Sequence, residues 1–453
     1  MAIKDILLNL PEVKGPTEKR LEFKIKLKWT LIILISFFVL ADIPLYGLAA
    51  NALSRFEYLA VILGTKFGSV ISLGIGPIVM ASIILQLLVG SKLLNLDLTT
   101  TDGKKYFQGL QKMLAVFFCL FEAVVYVLMR GLEAQPGMAG IVISQLFFGG
   151  LLIIFMDEVV SKYGFGSGVS LFIVGGVGLS LFTRAFGFLG PERTIAPIGK
   201  VWSLIKSIAS ADTSGATAAA ATILVTIAIF LIIAYVQSIK VEVPLSFGRI
   251  RGYGVRWPLN FFYTSVIPVI LVSALLANLQ IVARLAENWA GHPTFLGSFT
   301  EGSPSSGLIA WLSHRNLLEI AIRGAFTQKL LWQSLTYVAF MVIGCIIFSI
   351  FWVKTSGTDA ASQAKNILAS GLQIPGFRRD ERVLESILAR YVMPLAVMGG
   401  AAIGLLAAAT DLMGALESGT GILLAVMIVY QLYQEIAQQH AFDMYPALKK
   451  IIK

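Results

Sequence analysis

Gly68-Ser69-Val70-Ile71-Ser72-Leu73-Gly74-Ile75-Gly76-Pro77 leads directly into the apolar run Ile78–Val89. Three glycines and a proline within ten residues interrupt any helix that would run through them. Glycine loses backbone entropy when ordered, and proline has no amide to donate. The preceding segment, Glu57 to Phe67, is mildly apolar and too short to cross a bilayer. Broken helix at membrane depth is tolerated only where protein buries it or where it lines a cavity. Residues 57–90 therefore read as a short re-entrant helix followed by a true span beside a central cavity. The competing reading is a surface amphipathic helix in an outer loop.

The rest of the chain fits a membrane setting. Of 453 residues, 57% are hydrophobic and 14% are charged, and the mean hydropathy is +0.80. A soluble domain carries about 25% charged residues. This composition excludes a disordered chain, a disulfide scaffold and a soluble nucleic-acid-binding domain. A helix needs about 20 residues to cross the hydrocarbon. Ten stretches qualify, at 29–47, 70–90, 108–129, 140–156, 169–188, 218–237, 257–280, 330–353, 391–409 and 420–434. The expected fold is thus an all-α polytopic membrane protein. Its parts are a cytoplasmic segment 1–28, an N-terminal half 29–188, an external connector 189–217, a C-terminal half 218–434 and a cytoplasmic tail 435–453. Cytoplasmic loops are expected at 240–256 and 354–390. Five spans per half force the halves into opposite orientations, the arrangement of an inverted repeat with its path at the interface.

Charge orients the chain. The net charge is +10, and 25 of the 36 Lys and Arg fall in segments on the same side as the N-terminus. That places both termini in the cytoplasm, with the basic loops facing anionic lipid or a polyanionic partner such as ribosomal RNA. Two loops are especially cationic, one with Arg249, Arg251 and Arg256, the other with Arg378, Arg379 and Arg382. Gly beside Arg suits bidentate phosphate or carboxylate contact, and a merely solvated loop is the alternative.

The chain shows no constellation for covalent catalysis. The Gly164–Gly168 run lacks dinucleotide spacing, and no Walker A, H-E-x-x-H or G-x-S-x-G pattern occurs. No metal or cofactor is expected, and the chain is not read as an enzyme. Cys119 and Cys345 lie in apolar runs and read as small core residues. Glu122, inside the third span, reads as a structural polar contact rather than part of a proton relay. Gln86 and Asn278 are neutral polar groups inside spans two and seven, able to hydrogen-bond across helices for about 0.6 kcal/mol each.

Several motifs occur in order along nearly the whole chain: Gly74–Leu88, Ser161–Gly168, Val243-Pro244-Leu245 with Gly248-Arg249-Ile250, Ile267–Ile270, Gly376-Phe377-Arg378 and Gly419-Thr420-Gly421. Together they closely resemble the SecY family of protein-conducting channels. That resemblance implies two inverted five-span halves around a central pore for unfolded polypeptide. It implies a pore ring of Ile75, Val79, Val169, Ile173, Ile270 and Leu424. The segment containing Glu57, Leu59, Ile62 and Phe67 would be the plug. Spans two and seven would form a lateral gate with Met80, Gln86 and Asn278. Met80 stands where relatives often carry a small polar residue, which weakens the gate's polar seam. Arg249, Arg251 and Arg378 would dock the ribosome or another cytosolic translocation partner. The implied partners also include a SecE-type small clamp subunit, a third small single-span subunit and the nascent or unfolded polypeptide. The expected location is the plasma membrane, with the endoplasmic reticulum as alternative. The rival function is a secondary transporter of a small solute, which would need a polar or charged site at mid-bilayer. The long outer segment 282–329 matches the family poorly and receives no role.

Overall fold

The computed structural model describes residues 11–17, 21–49, 68–90, 93–94, 96, 101–128, 132–187, 199–247, 254–290, 292–300, 303–369, 372–373 and 380–444. Ten long helices match the ten expected spans. They are α1 (Phe23–Asp42), α2 (Gly76–Gly90), α3 (Thr101–Leu128), α4 (Ala139–Tyr163), α5 (Gly168–Phe186), α7 (Thr213–Ser238), α8 (Ile267–Ala290), α11 (Gln328–Thr355), α13 (Glu381–Leu412) and α14 (Gly419–Met444). Seven of them are long and apolar enough to cross a membrane by length and composition among the described residues. In α2 and α8 the apolar helical parts, Gly76–Val89 and Ile267–Leu276, are shorter. Helix α1 carries Lys24, Lys26 and Lys28 in its first turns.

Among the described residues four shorter helices join them: α6 (Lys200–Ala209), α9 (Gly307–Leu312), α10 (Leu317–Ile322) and α12 (Ala360–Ala369). The described residues also hold five short strands: β1 (Lys240–Phe247), β2 (Gly254–Asn260), β3 (Ser298–Thr300), β4 (Ser303–Ser306) and β5 (Leu372–Gln373). The expected loop at 240–256 is therefore a hairpin with flanking strands, and the seventh helix begins at Ile267 rather than 257. Residues 257–260 are spent in β2, and Ser265 at φ 55° turns the chain before α8 starts.

Two compact units emerge, residues 1–180 with 428–453, and residues 181–427. In the first unit the core gathers Ile33, Phe37, Ile71, Ile78, Cys119, Ile153 and Phe172 from α1 to α5. Phe37 stacks on Phe172 with centroids 4.7 Å apart. In the second unit α7, α8, α11, α13 and the first turns of α14 share a core that includes Ile233, Val269, Val272, Met341, Cys345, Ile403 and Leu423. Gly400 and Gly404 let α13 lie against the α11 backbone. A Cβ on either would stand 2.9 Å from the Cys345 carbonyl oxygen or 2.8 Å from that of Met341. Small residues of this kind allow close packing where lipid supplies no hydrophobic drive. Ser349 adds a buried polar tie, donating to the Ala396 carbonyl at 2.6 Å and sharing a 2.9 Å hydrogen bond with Thr264. Both cysteines are buried and unbridged.

Candidate functional site

The first unit fixes the broken stretch that opens α2. The chain re-emerges beside the end of α1, where Leu45 donates to the Gly68 carbonyl at 2.8 Å and Val70 to that of Ile43 at 3.0 Å. Pro44 and Ser69 pair as an isolated bridge. Gly68 and Gly74 adopt φ of +90° and +56°, which L side chains reach only with strain. Residues 71–74 are buried, and α4 passes so close that a Cβ on Gly149 would meet the Val70 carbonyl. This non-helical backbone is covered by protein, as any that lies at membrane depth must be.

This anchoring sets where Ile75 and Val79 stand. Both are half-buried, while Ile78 between them is in the core. On α5, Val169 and Ile173 are likewise half-buried, and Leu171 and Phe172 between them are buried. The start of α5 is placed by Asp157, whose Oδ1 accepts from the Val169 amide at 2.9 Å, and by Gly168 packed on the Asp157 backbone. Ile75 and Val169 pack on the margin of the first unit's core.

The second unit treats the other two positions the same way. Ile270 and Leu424 are half-buried at the margin of its core, next to fully buried Val269 and Leu423. The turn before α14 is tied down by Asp411, which accepts from Tyr337 Oη and from the Gly419 amide, both at 2.7 Å. Gly419 packs on the Ala407 backbone, where no side chain would fit, and Ser418 Oγ accepts from the Gly421 amide at 3.2 Å. The Gly419-Thr420-Gly421 motif thus fixes the helix start that presents Leu424. All six aliphatic positions share one character within their own units: anchored by buried neighbours, partly uncovered, and without a polar atom.

Among the remaining expected residues, Met80 is 41% exposed. Gln86 is half-buried. One turn before it, Ser82 Oγ accepts from Gln111 Nε2 at 2.7 Å, so this polar link between α2 and α3 falls at Ser82. The side chain of Asn278, the plug residues Glu57, Leu59, Ile62 and Phe67, and the docking residues Arg249, Arg251 and Arg378 lie outside the described residues. The stems of the two basic loops are described, and they are joined. Strand β1 pairs with β2 and with β5, with Ser246 opposite Gln373 and Phe247 opposite Leu372. The hairpin stands on α12 and α13 through Val243, Leu259, Ile367, Leu384 and Leu388. Near its base, Tyr263 donates to the Thr358 carbonyl, and burial raises its phenol to about 12, so it stays a neutral donor.

Glu122, expected only as a structural polar contact within its span, is a neighbour of the broken stretch. A Cβ on Gly76 would lie 3.2 Å from Glu122 Oε2, so the carboxylate sits against the first residue of α2. The signal was available only as an intramembrane charge, since 46 positions separate the two residues.

With this geometry in hand, comparison with known proteins decides the family. A sequence model of SecY matches residues 69–433. This chain belongs to the SecY family. It is 43% identical to the protein translocase subunit SecY of Methanothermobacter thermautotrophicus over 98% of its own length and 96% of that chain. It is 40% identical to the one from Methanocaldococcus jannaschii, covering 99% and 98%. Among solved structures it resembles a protein-conducting channel, with TM-score 0.78 and 38% identity, covering 98% of each chain. A canine Sec61 chain from a ribosome–channel complex of the endoplasmic reticulum matches with TM-score 0.76 and 38% identity, covering 98% of each. The fold of this chain is therefore that of the SecY family, an all-α polytopic membrane protein with ten long helices, and its class of activity is protein translocation.

Proposed function

We propose that this SecY-family chain passes unfolded secretory polypeptides across the membrane and releases transmembrane segments sideways into lipid. Ile75, Val79, Val169, Ile173, Ile270 and Leu424 form the constriction. The observation that carries this reading is their shared placement: all six aliphatic side chains are half-buried beside buried neighbours, and Ile75, Val169, Ile270 and Leu424 pack at core margins. A pore that admits every kind of side chain cannot bind any of them tightly. Aliphatic groups offer neither charge nor hydrogen bond, and a narrow apolar constriction excludes water and ions when empty. The solute-transporter alternative is not favoured, since the relatives are protein translocase subunits.

In this reading residues 57–67 close the path as a plug. Spans two and seven part as a lateral gate at Met80, Gln86 and Asn278, and an apolar segment gains about 25 cal/mol per Å² of apolar surface on leaving for lipid. The paired stems of the two basic loops support a common docking surface, with Arg249, Arg251 and Arg378 at the ribosome or a cytosolic translocation partner. A SecE-type small clamp subunit and a third small subunit complete the assembly, and anionic lipids face the basic loops. Both termini are cytoplasmic, in a plasma membrane. The chain performs no chemistry of its own, so the work of movement comes from its partner. Replacing Ile75 and Val79 with Gly tests the reading. Ion leak through reconstituted bilayers should rise, and unchanged conductance would remove those residues from the constriction.

A further inference from the structure

One cavity lies apart from the proposed path. It measures about 410 Å³ and belongs entirely to the second unit, with Thr183, Arg184, Lys200, Thr222, Asn316 and Leu416 among its lining residues. That volume falls in the range of small-ligand pockets. It sits where α5 ends, α6 begins and α7 has made its first turns, close to the ends of two apolar spans. The frame is built. Gly199 donates to the Gly187 carbonyl at 3.0 Å, and Trp202 Nε1 to that of Phe186 at 3.1 Å. Leu416 donates its amide to Thr226 Oγ1 at 2.9 Å. Gly414, at φ +64°, is packed so closely by the Asn316 amide that no Cβ would fit.

The charge count is uneven. Buried Glu417 is balanced by Arg184, whose Nε stands 3.8 Å from Glu417 Oε2 and whose Nη1 donates to the Leu416 carbonyl at 2.9 Å. Most of the guanidinium's five donors are left without a partner among the described residues. Lys200 is half-buried and makes no ion pair among them. The cavity thus offers a fork of donors and one uncompensated cation. Beside it lies an apolar surface: Phe182 and Phe186 at the end of α5, Ile205 and Ile208 on α6, are all exposed, by 42% to 65%. Helix α6 is amphipathic, with Lys200 and Lys206 among those apolar residues, the pattern of a helix lying in a membrane interface.

We propose that this cavity holds the phosphate of an anionic phospholipid. Lys200 and Arg184 bind the phosphodiester, and the acyl chains run along the exposed phenylalanines and isoleucines. The single negative charge meets the single uncompensated cation, and the neighbouring apolar surface favours a lipid over free phosphate. Native mass spectrometry of the purified channel complex, titrated with phosphatidylglycerol, tests it. One lipid should be retained with affinity about tenfold weaker in Lys200→Glu, from the loss of one charge-assisted contact. Lys200→Arg should keep it, as should Lys206→Glu, which alters the same helix outside the cavity. Millimolar inorganic phosphate should leave the lipid bound. The assignment falls if Lys200→Glu binds as the native chain does, if Lys206→Glu loses as much, or if inorganic phosphate displaces the lipid.

Discussion

Gly149→Ala is the smallest change that bears on how the broken stretch is held. The added methyl would lie on the Val70 carbonyl, 2.8 Å from its carbon and 3.1 Å from Val70 Cγ1. The obstacle is backbone, so no flexible side chain can swing aside. Either α4 or residues 68–75 must move. Overpacking of this kind costs about 1–3 kcal/mol. The part with fewer covalent constraints is the stretch ending at Ile75, tied to α1 by the Val70 amide on the Ile43 carbonyl and the Pro44–Ser69 bridge. Gly178→Ala on α5 is the matched control, since a Cβ there meets nothing within 4 Å. It should stabilise by no more than about 1 kcal/mol through helix propensity. Thermal unfolding in detergent and ion conductance after reconstitution read both variants. Gly149→Ala should unfold at lower temperature and leak ions, and Gly178→Ala should do neither. Equal behaviour of the two variants would refute the close approach of α4 as the device that sets Ile75 and Val79.

Three further outcomes are expected. Glu158→Gln should release residues 11–14, because Glu158 pairs with Lys112 and accepts the Val13 amide at 2.9 Å; with both side chains mostly buried, the loss should reach about 3 kcal/mol, read as faster amide exchange at 11–17. Asp411→Ala should cost about 1–3 kcal/mol by leaving Tyr337 Oη and the Gly419 amide without their acceptor, and should lower thermal stability more than Tyr337→Phe does. The Asp212 carboxyl, capping α7, is held below its ordinary range by the Gly215 amide and the Ser214 hydroxyl. Its contribution is therefore present above the usual carboxylate range and lost as pH falls through the lowered value, so exchange of the Gly215 amide should quicken in acid, and in Asp212→Asn should respond less to pH.

Hydropathy carried most of the architecture, because a span must satisfy its backbone internally and be apolar over its length. All ten spans lie where apolar runs lie, with ends displaced by local chemistry: Pro44 follows α1, and α13 starts at Glu381 with Asp380 as its cap. The β1 strand was legible yet passed over. Val241, Val243, Leu245 and Phe247 alternate with polar or proline positions, the period of a strand, but Pro244 and the surrounding charges read as loop. The anchoring of the six aliphatic positions was not legible at all. Ile75 is placed by Gly149, Leu424 by Tyr337 through Asp411, and Gly76 faces Glu122, with Gly149, Tyr337 and Glu122 each dozens of residues away. The same holds for the pairing of Arg184 with Glu417, which no local pattern announces.

Site-specific photo-crosslinking from a stalled, partly translocated polypeptide tests the proposed path most directly. A photoreactive residue placed in turn at 75, 79, 169, 173, 270 and 424 should capture the polypeptide at every position. The exposed positions 224, 231 and 343 on the spans should capture lipid instead. Capture at the exposed positions with none at the six would contradict an aliphatic constriction as the route of the chain.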